Sequence, residues 1–149
     1  MSSSLHEESG SGGETLRLKL PNRFDALEAA RLSVLRFLAP HQPSPRALYA
    51  VELVLEEALT NVIKYAFRDG DSHEIDLTVR IEADGIVLRF EDDGVAFDPL
   101  QAPEPRAPST IEEAVPGGLG IALLRRHCSS ADYRRLGGRN VLTVRVSSA

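Results

Sequence analysis

The sequence lacks tryptophan, has one cysteine and contains no long apolar run. A single cysteine, Cys128, excludes an internal disulfide and a metal site built from several cysteines. No apolar stretch approaches the roughly 20 residues that a membrane-spanning helix needs. The N-terminal stretch MSSSLHEESGSGGET has neither the basic start nor the apolar segment of a signal peptide. We therefore expect a cytoplasmic protein without a membrane span.

Basic residues are also in the minority. The chain has 17 lysines and arginines against 22 aspartates and glutamates, which gives a formal net charge of −5 at pH 7. Nucleic-acid phosphates are bound by clustered lysine and arginine, so this balance argues against a nucleic-acid surface. We expect a protein or a small molecule as the partner.

What is present is the composition of one globular domain. Hydrophobic residues make up 42% of the 149-residue chain and charged residues 26%, which is enough to form a core. Residues 1–14 are rich in serine and glycine and predict a flexible tail. Residues 15–149 are then the folded domain.

Hydrophobic periodicity and turn residues predict the elements of that domain. Alternation marks strands, spacing of three and four marks helices, and Asp84-Gly85 marks a hairpin turn. In chain order, the patterns predict a strand at 16–20, helices at 25–38 and 45–67, strands at 75–82 and 86–90, a helix at 117–128, and strands at 133–136 and 140–146. Hairpin-joined strands with interspersed helices favour an α+β two-layer sandwich, in which helices cover one face of a mixed, mainly antiparallel sheet.

The helix at 45–67 carries a polar stripe that helix propensity does not explain. At about 100° per residue, its apolar face holds Leu48, Val51, Leu55, Ala58, Leu59, Val62 and Ala66. Its solvated side holds Glu52, Glu56 and Thr60. Between these two faces lie Glu57, Asn61, Lys64 and Arg68, although asparagine is a poor helix former. The residues alone explain this stripe equally well as a surface ladder of i, i+4 pairs or as a functional site.

The strand at 86–90 continues into an acidic segment. By parity Asp92 points inward with the apolar residues of the strand, while Glu91 and Asp93 point outward. A buried carboxylate needs donors, so Asp92 would pair with a cation, cap a turn or accept hydrogen bonds from a ligand. If the strand ends at Glu91, Asp92 to Gly94 form a solvated turn instead.

Glycines precede the third predicted helix, in the stretch PGGLGIALLRR. The preceding residues 99–116 hold five of the nine prolines, which predicts a long loop. Free N–H groups at a glycine-rich helix start form an anion site, for which phosphate is a natural occupant. A hinge between loop and helix is the alternative, and the stretch does not match a P-loop, which needs GxxxxGK.

In their order and spacing, these segments resemble the GHKL nucleotide-binding domain, or Bergerat fold, of histidine kinases, type II topoisomerases and heat-shock chaperones. The likeness is strongest to the small anti-sigma-factor serine kinases and covers residues 16–146. EEALTNVIKY resembles the N-box, DDGVAFDP the first glycine box and GGLGIALL the second glycine box. The proline-rich segment at about 97–117 resembles the ATP lid.

The resemblance implies a role for each matching residue. Asn61 resembles the asparagine that holds the magnesium ion bridging the ATP phosphates. Glu57 resembles the general base that accepts the proton of an incoming serine hydroxyl, and Lys64 would lie toward the phosphates. Asp92 resembles the aspartate that accepts the adenine amino group, and Gly94 the glycine that lets the base approach.

Five further residues are implied to bind ATP. Phe97 belongs to the first glycine box. Gly118, Leu119 and Gly120 belong to the segment between lid and helix, whose N–H groups meet the phosphates. Thr143, in the final strand, resembles a hydroxyl residue that helps to bind adenine.

By this resemblance the protein is a Mg-ATP-dependent kinase that phosphorylates a serine or threonine of a STAS-type antagonist. The resemblance also implies that the protein binds a sigma factor or similar regulator, and it favours a homodimer. From charge and hydropathy we expect no direct contact with nucleic acid or a membrane. The alternative is an ATP-binding module that exchanges partners without phosphotransfer. That alternative stays open because Lys64-Tyr65 replaces the Arg-His pair of many anti-sigma kinases, and Ala96 replaces a glycine.

A detached histidine-kinase domain is a third reading, and the sequence disfavours it. Such a domain needs a phosphoacceptor histidine on a dimerising helix pair. The only histidine in a sequence faintly like an acceptor motif is His6, and the serines and glycines around it do not favour a helix.

Overall fold

The computed structural model describes residues 5–10, 13–67, 70, 72–101 and 126–148. Its helices are α1 (Ala26–Leu38) and α2 (Pro45–Asn61). Its strands are β1 (Leu5–Gly10), β2 (Gly13–Pro21), β3 (Glu74–Glu82), β4 (Gly85–Asp92), β5 (Ser130–Leu136) and β6 (Arg139–Ser147). The strands form one sheet in the order β1-β2-β3-β4-β6-β5. This α+β architecture confirms the predicted fold class.

The sheet and helices share one hydrophobic core. Directly paired residues form apolar rungs across four strands, and one rung runs from Leu18 through Leu77 and Phe90 to Leu142. Because alternate side chains point to opposite faces, all apolar residues of one parity meet the helices. Val34 of α1 and the apolar face of α2 pack on these rungs. Both helices therefore cover the same face of the sheet.

Two expectations differ from the observed fold, and a third is not tested by it. The sheet was predicted to be mixed, but every strand pair among the described residues is antiparallel. The predicted flexible tail differs at Leu5–Gly10, which pairs with β2 as an edge strand. Most of the helix predicted at 117–128 lies outside the described residues. Within the described part of the chain, no helix is long and apolar enough to cross a membrane.

Helix α2 begins at a side-chain cap and ends in a change of helical geometry. Ser44 is its N-cap, since the Ser44 Oγ accepts a hydrogen bond of 3.0 Å from the Ala47 N–H. Pro45 occupies the first turn, where its missing N–H costs nothing. At the other end, the α-helix stops at Asn61 and continues as a π-helical turn, Val62–Ala66. A wider turn moves residues 62–66 off the regular helical spacing, and such turns occur frequently at functional sites.

The N-cap gives the first prediction. Ser44→Ala should lower the free energy of unfolding by about 1 kcal/mol, because an orphan N–H at the helix start loses its acceptor. Urea denaturation measures this loss. Ser148→Ala, at an exposed serine outside the helices, is the control and should change stability little. Equal effects of the two substitutions would contradict the assigned cap.

Candidate functional site

A small cavity lies where the end of α2, the end of β4 and the start of β6 meet. Asn61, Asp92, Phe97 and Asn140 are among its lining residues, together with apolar side chains such as Phe90. Its volume is about 20 Å³, which is space for one water molecule. A larger ligand enters only if a wall moves. Phe97 lies in the irregular segment after β4, so it is the lining side chain least restrained by regular structure.

Asp92 is the buried carboxylate of this cavity. The strand β4 extends to Asp92, so the inward orientation predicted by parity is confirmed and the solvated-turn alternative is wrong. Only 2% of the residue is exposed. Its Oδ1 accepts hydrogen bonds of 2.9 Å from the Gly94 N–H and 2.9 Å from the Asn140 side-chain amide.

Gly94 allows the turn after β4 to pack against the π-helical turn after α2. A Cβ at this position would lie 2.3 Å from the Ala66 carbonyl oxygen, which is far inside contact distance. The next residue, Val95, donates its N–H to that same oxygen at 2.8 Å. Gly94 therefore has a structural role at this place: it brings the two sides of the cavity together.

Asn140 is a central residue of the site that the sequence reasoning missed. It pairs directly with Asp92 across β4 and β6 and is 5% exposed. A signal for it was present, because Asn140 shares its parity in β6 with the core residues Leu142 and Val144. Asn140 is thus the polar residue of β6 that points inward, just as Asp92 is the polar residue of β4 that points inward.

Thr143 lies on the other face of the sheet. It is one position out of parity with Leu142 and pairs directly with Arg89 of β4 and Asp132 of β5. Residues of that parity point away from the helices and from Asp92. The structure therefore does not bring Thr143 into the cavity, and the hydroxyl role expected for it is a mistaken assignment.

Glu57 and Asn61 form the buried polar side of α2. Each is 9% exposed, so the surface-ladder explanation of the polar stripe is wrong. Thr60, expected on the solvated side, is also buried, at 4% exposure. The last turns of α2 are thus enclosed on more sides than a two-faced helix pattern predicts.

The Glu57 carboxylate is electrostatically unusual. Among the described residues, its buried Oε2 atom has no hydrogen-bond partner. Burial raises the pKa of the Glu57 carboxyl above its ordinary value, and the negative charge of Glu56 adds to the increase. The positive charge of Lys64 opposes this increase by lowering the pKa of Glu57. The Lys64 ammonium and the Glu57 carboxylate therefore lie within electrostatic reach of each other. A buried carboxyl of this kind is suited to exchanging a proton.

Aromatic rings connect the two sides of the cavity. Tyr65, in the π-helical turn, and Phe97, after β4, have ring centroids 5.5 Å apart with planes tilted by 30°. This contact, together with the Gly94 packing, joins the α2 end to the β4 end. Of the predicted site residues, Glu57, Asn61, Lys64, Asp92, Gly94 and Phe97 are therefore brought into one region. Gly118, Leu119, Gly120 and most of the predicted lid lie outside the described residues.

The described residues include no group of three or more histidine, cysteine or acidic side chains that could hold a metal ion. Burial raises the pKa of the Cys128 thiol to about 11. A Mg²⁺ ion at Asn61 would therefore take few ligands from this part of the chain. That arrangement is common for magnesium, which takes few protein ligands and completes its shell with phosphates and water.

Comparisons with known proteins identify relatives of this chain. The chain is 36% identical over 106 residues to the serine/threonine-protein kinase BtrW of Bordetella bronchiseptica, covering 71% of this chain and 75% of BtrW. It is 28% identical over 115 residues to the serine-protein kinase RsbW of Listeria monocytogenes, covering 74% of this chain and 73% of RsbW. It is 27% identical over 97 residues to the anti-sigma F factor of Bacillus velezensis, covering 64% of this chain and 65% of that protein.

A domain family matches nearly the whole folded part of the chain. The histidine kinase-like ATPase domain matches residues 20–146, a span that includes both sides of the cavity from Glu57 to Asn140. The chain belongs to the histidine kinase-like ATPase family.

Proposed function

We propose that this protein is a Mg-ATP-dependent serine/threonine protein kinase that phosphorylates a STAS-type antagonist and binds a sigma factor or similar regulator. One observation carries the proposal. Among the residues that the structure describes, one oxygen of the buried Glu57 carboxylate has no hydrogen-bond partner. Glu57 lies one helical turn before Asn61, which lines the same cavity as Asp92. Two of the sequence signals, the polar stripe of α2 and the inward Asp92, thus lie in one region. They support a site with a base, a metal ligand and an acceptor for a nucleobase.

Asp92 is proposed to bind the adenine ring. Its Oδ1 is taken by the Gly94 and Asn140 donors, so Oδ2 is the oxygen that can accept from an exocyclic amino group. Phe97 would move to admit the ring and then cover it. The N–H groups of Gly118, Leu119 and Gly120 are proposed to bind the phosphates.

Asn61 and Lys64 are proposed to form the phosphate side of the site. The Asn61 side-chain oxygen is a hard, neutral ligand of the kind that Mg²⁺ accepts. Magnesium, when bound, neutralises phosphate charge and orients the γ-phosphoryl group. The Lys64 ammonium adds positive charge within electrostatic reach of Glu57.

Glu57 is proposed to act as the general base. The serine or threonine oxygen of the partner bonds to the γ-phosphorus while the bond to the β–γ bridging oxygen breaks, and ADP leaves. The hydroxyl proton passes to the Glu57 carboxylate. A base whose pKa is raised by burial accepts that proton more readily than an exposed glutamate.

The partners are proposed from the names of the relatives. One relative is named an anti-sigma factor and two are named protein kinases. We propose that this protein is both a kinase and an anti-sigma factor. Its STAS-type antagonist and its sigma factor or similar regulator would then compete for binding to it. It would act as a homodimer in the cytoplasm.

The kinase proposal predicts label transfer from [γ-³²P]ATP to the serine or threonine of the cognate STAS-domain protein. Glu57→Gln should slow transfer by about 10²-fold to 10⁴-fold, because the proton acceptor is lost. Its ATP affinity should stay close to that of the wild type. Glu56→Gln, at the exposed neighbour, is the matched control and should retain transfer. ATP binding without any transfer by the wild type would instead support the partner-exchanging module.

The adenine assignment predicts a reversal of hydrogen bonding in Asp92→Asn. The Gly94 and Asn140 donors would keep the amide oxygen at the Oδ1 position, so the amide nitrogen would face the adenine amino group. Two donors would then oppose each other, and the Kd for ATP should rise about tenfold to 100-fold. Calorimetric titration measures this change, with Asp93→Asn at the exposed neighbour as control. Unchanged ATP affinity in Asp92→Asn would refute the assignment.

The raised pKa of Glu57 predicts how stability depends on pH. Because the folded pKa exceeds the unfolded one, the wild type loses stability as pH rises through the folded pKa. Glu57→Gln removes the buried charge and should therefore be more stable than the wild type at pH 8 without nucleotide. The difference should shrink below the ordinary glutamate pKa of about 4.3. Urea unfolding at pH 4 to 8 tests this, and a pH-independent difference would contradict the buried charge.

A further inference from the structure

The Asn140 side chain is the most connected polar group of the cavity. Its Nδ2 donates to Asp92 Oδ1 at 2.9 Å and to the Val95 carbonyl oxygen at 2.8 Å. Its Oδ1 accepts from the Phe97 N–H at 3.3 Å and from Arg135 Nη1 at 3.2 Å. It accepts a further hydrogen bond from the Tyr133 hydroxyl, in a short contact. Five hydrogen bonds thus meet on one amide that is 5% exposed.

These partners permit only one orientation of the amide. The carbonyl side faces an arginine N–H, a backbone N–H and a tyrosine hydroxyl, two of which can act only as donors. The nitrogen side faces a carboxylate and a backbone carbonyl, which are acceptors. A flipped amide would oppose like groups on both sides and leave buried polar atoms unpaired, at a cost of about 1–3 kcal/mol for each. The orientation of Asn140 is therefore set by its surroundings.

A fixed amide in turn fixes the Asp92 carboxylate. Within the described residues, both hydrogen bonds to that carboxylate end on Oδ1, one from Gly94 and one from Asn140. Rotation of the carboxylate would break them. Asp92 lines the cavity, and Oδ2 is its oxygen that neither of these two donors occupies. A carboxylate oxygen accepts hydrogen bonds.

The hydrogen-bond network around Asn140 extends to the exposed edge of the sheet. Arg135, on the edge strand β5, donates through Nη1 to the Gly94 carbonyl oxygen at 2.7 Å as well as to Asn140. One guanidinium therefore holds both residues that donate to Asp92. Arg135 itself is exposed and is not among the residues that line the cavity.

We propose that Asn140 is a positioning residue that determines base specificity, by holding Asp92 so that only Oδ2 meets the base. A purine with a 6-amino group donates to that oxygen, whereas a purine with a 6-oxo group presents an acceptor and is repelled. This inference rests on the proposed function, because it takes a purine nucleotide as the ligand. Asn140 acts on the base through Asp92, because a carboxylate that is no longer held in one orientation accepts less well from the 6-amino group. The preference for the 6-amino purine then falls.

The test compares ATP with inosine triphosphate, which carries a 6-oxo group, by calorimetric titration in the presence of Mg²⁺. Asn140→Asp has nearly the same shape, keeps an acceptor for Tyr133, Arg135 and Phe97, and loses the donor to Asp92. A second carboxylate would also repel the first. The preference of the wild type for ATP over inosine triphosphate should fall about tenfold in this variant, as expected for one charge-assisted hydrogen bond.

Controls separate positioning from a general loss of structure. A purely structural role of Asn140 would weaken both nucleotides equally and leave their ratio unchanged, which would overturn the proposal. Thr143→Ala, in the same strand but on the opposite face, should keep the wild-type ratio. If Asn140→Asp fails to fold, Arg135→Met tests the same hydrogen-bond network from an exposed position. The preference of Arg135→Met for ATP over inosine triphosphate should be about twofold to fivefold lower than that of the wild type. An unchanged ratio in Arg135→Met would then overturn the proposal.

The wild type distinguishes this inference from the proposed function. If the wild type binds neither nucleotide, the proposed function fails and the inference fails with it. If it binds ATP and prefers it to inosine triphosphate, but Asn140→Asp keeps the full preference, the inference alone is wrong. Equal wild-type affinities for both nucleotides would also refute the inference while leaving nucleotide binding intact.

Discussion

The structure depends on the hydrogen bond between Asp92 and Asn140. These two residues form a buried polar pair at the end of an otherwise apolar sheet face. The preceding rungs of β4 and β6, Phe90 with Leu142 and Leu88 with Val144, form the core beneath the helices. A carboxylate buried on this face is tolerated only with donors. Asn140 and the turn at Gly94 supply them, and the same contacts hold this end of the sheet against the end of α2. The core and the cavity are therefore continuous.

The α2 side of the cavity has the opposite character. Asp92 is well supplied with donors, whereas the buried Oε2 of Glu57 has none among the described residues. Two carboxylates in one region thus have different environments, as expected if Asp92 is the proposed hydrogen-bond acceptor and Glu57 the proposed proton acceptor. The stability lost by burying Glu57 is consistent with a functional site, where local rules are broken for chemistry.

Much of the fold and part of the site could be predicted from the sequence. Strand alternation placed Asp92 inward, and the Ser-Pro pair placed the start of α2, because both signals are local. Thr143 was misplaced by likeness to a family pattern, although parity excluded it, and the same parity would have indicated Asn140. The π-helical turn and the burial of Thr60 could not be predicted from the sequence, because both depend on tertiary packing around the end of α2. The edge strand β1 could not be predicted either, because its sequence LHEESG has no apolar alternation.

The central claim is that Asp92 and Asn61 lie at the two ends of one nucleotide. A crystal structure with Mg²⁺ and a non-hydrolysable ATP analogue tests it most directly. The account predicts the adenine amino nitrogen about 3 Å from Asp92 Oδ2 and the metal about 2.1 Å from the Asn61 side-chain oxygen. A nucleotide bound elsewhere on the protein, or a base with its amino group turned away from Asp92, would contradict it.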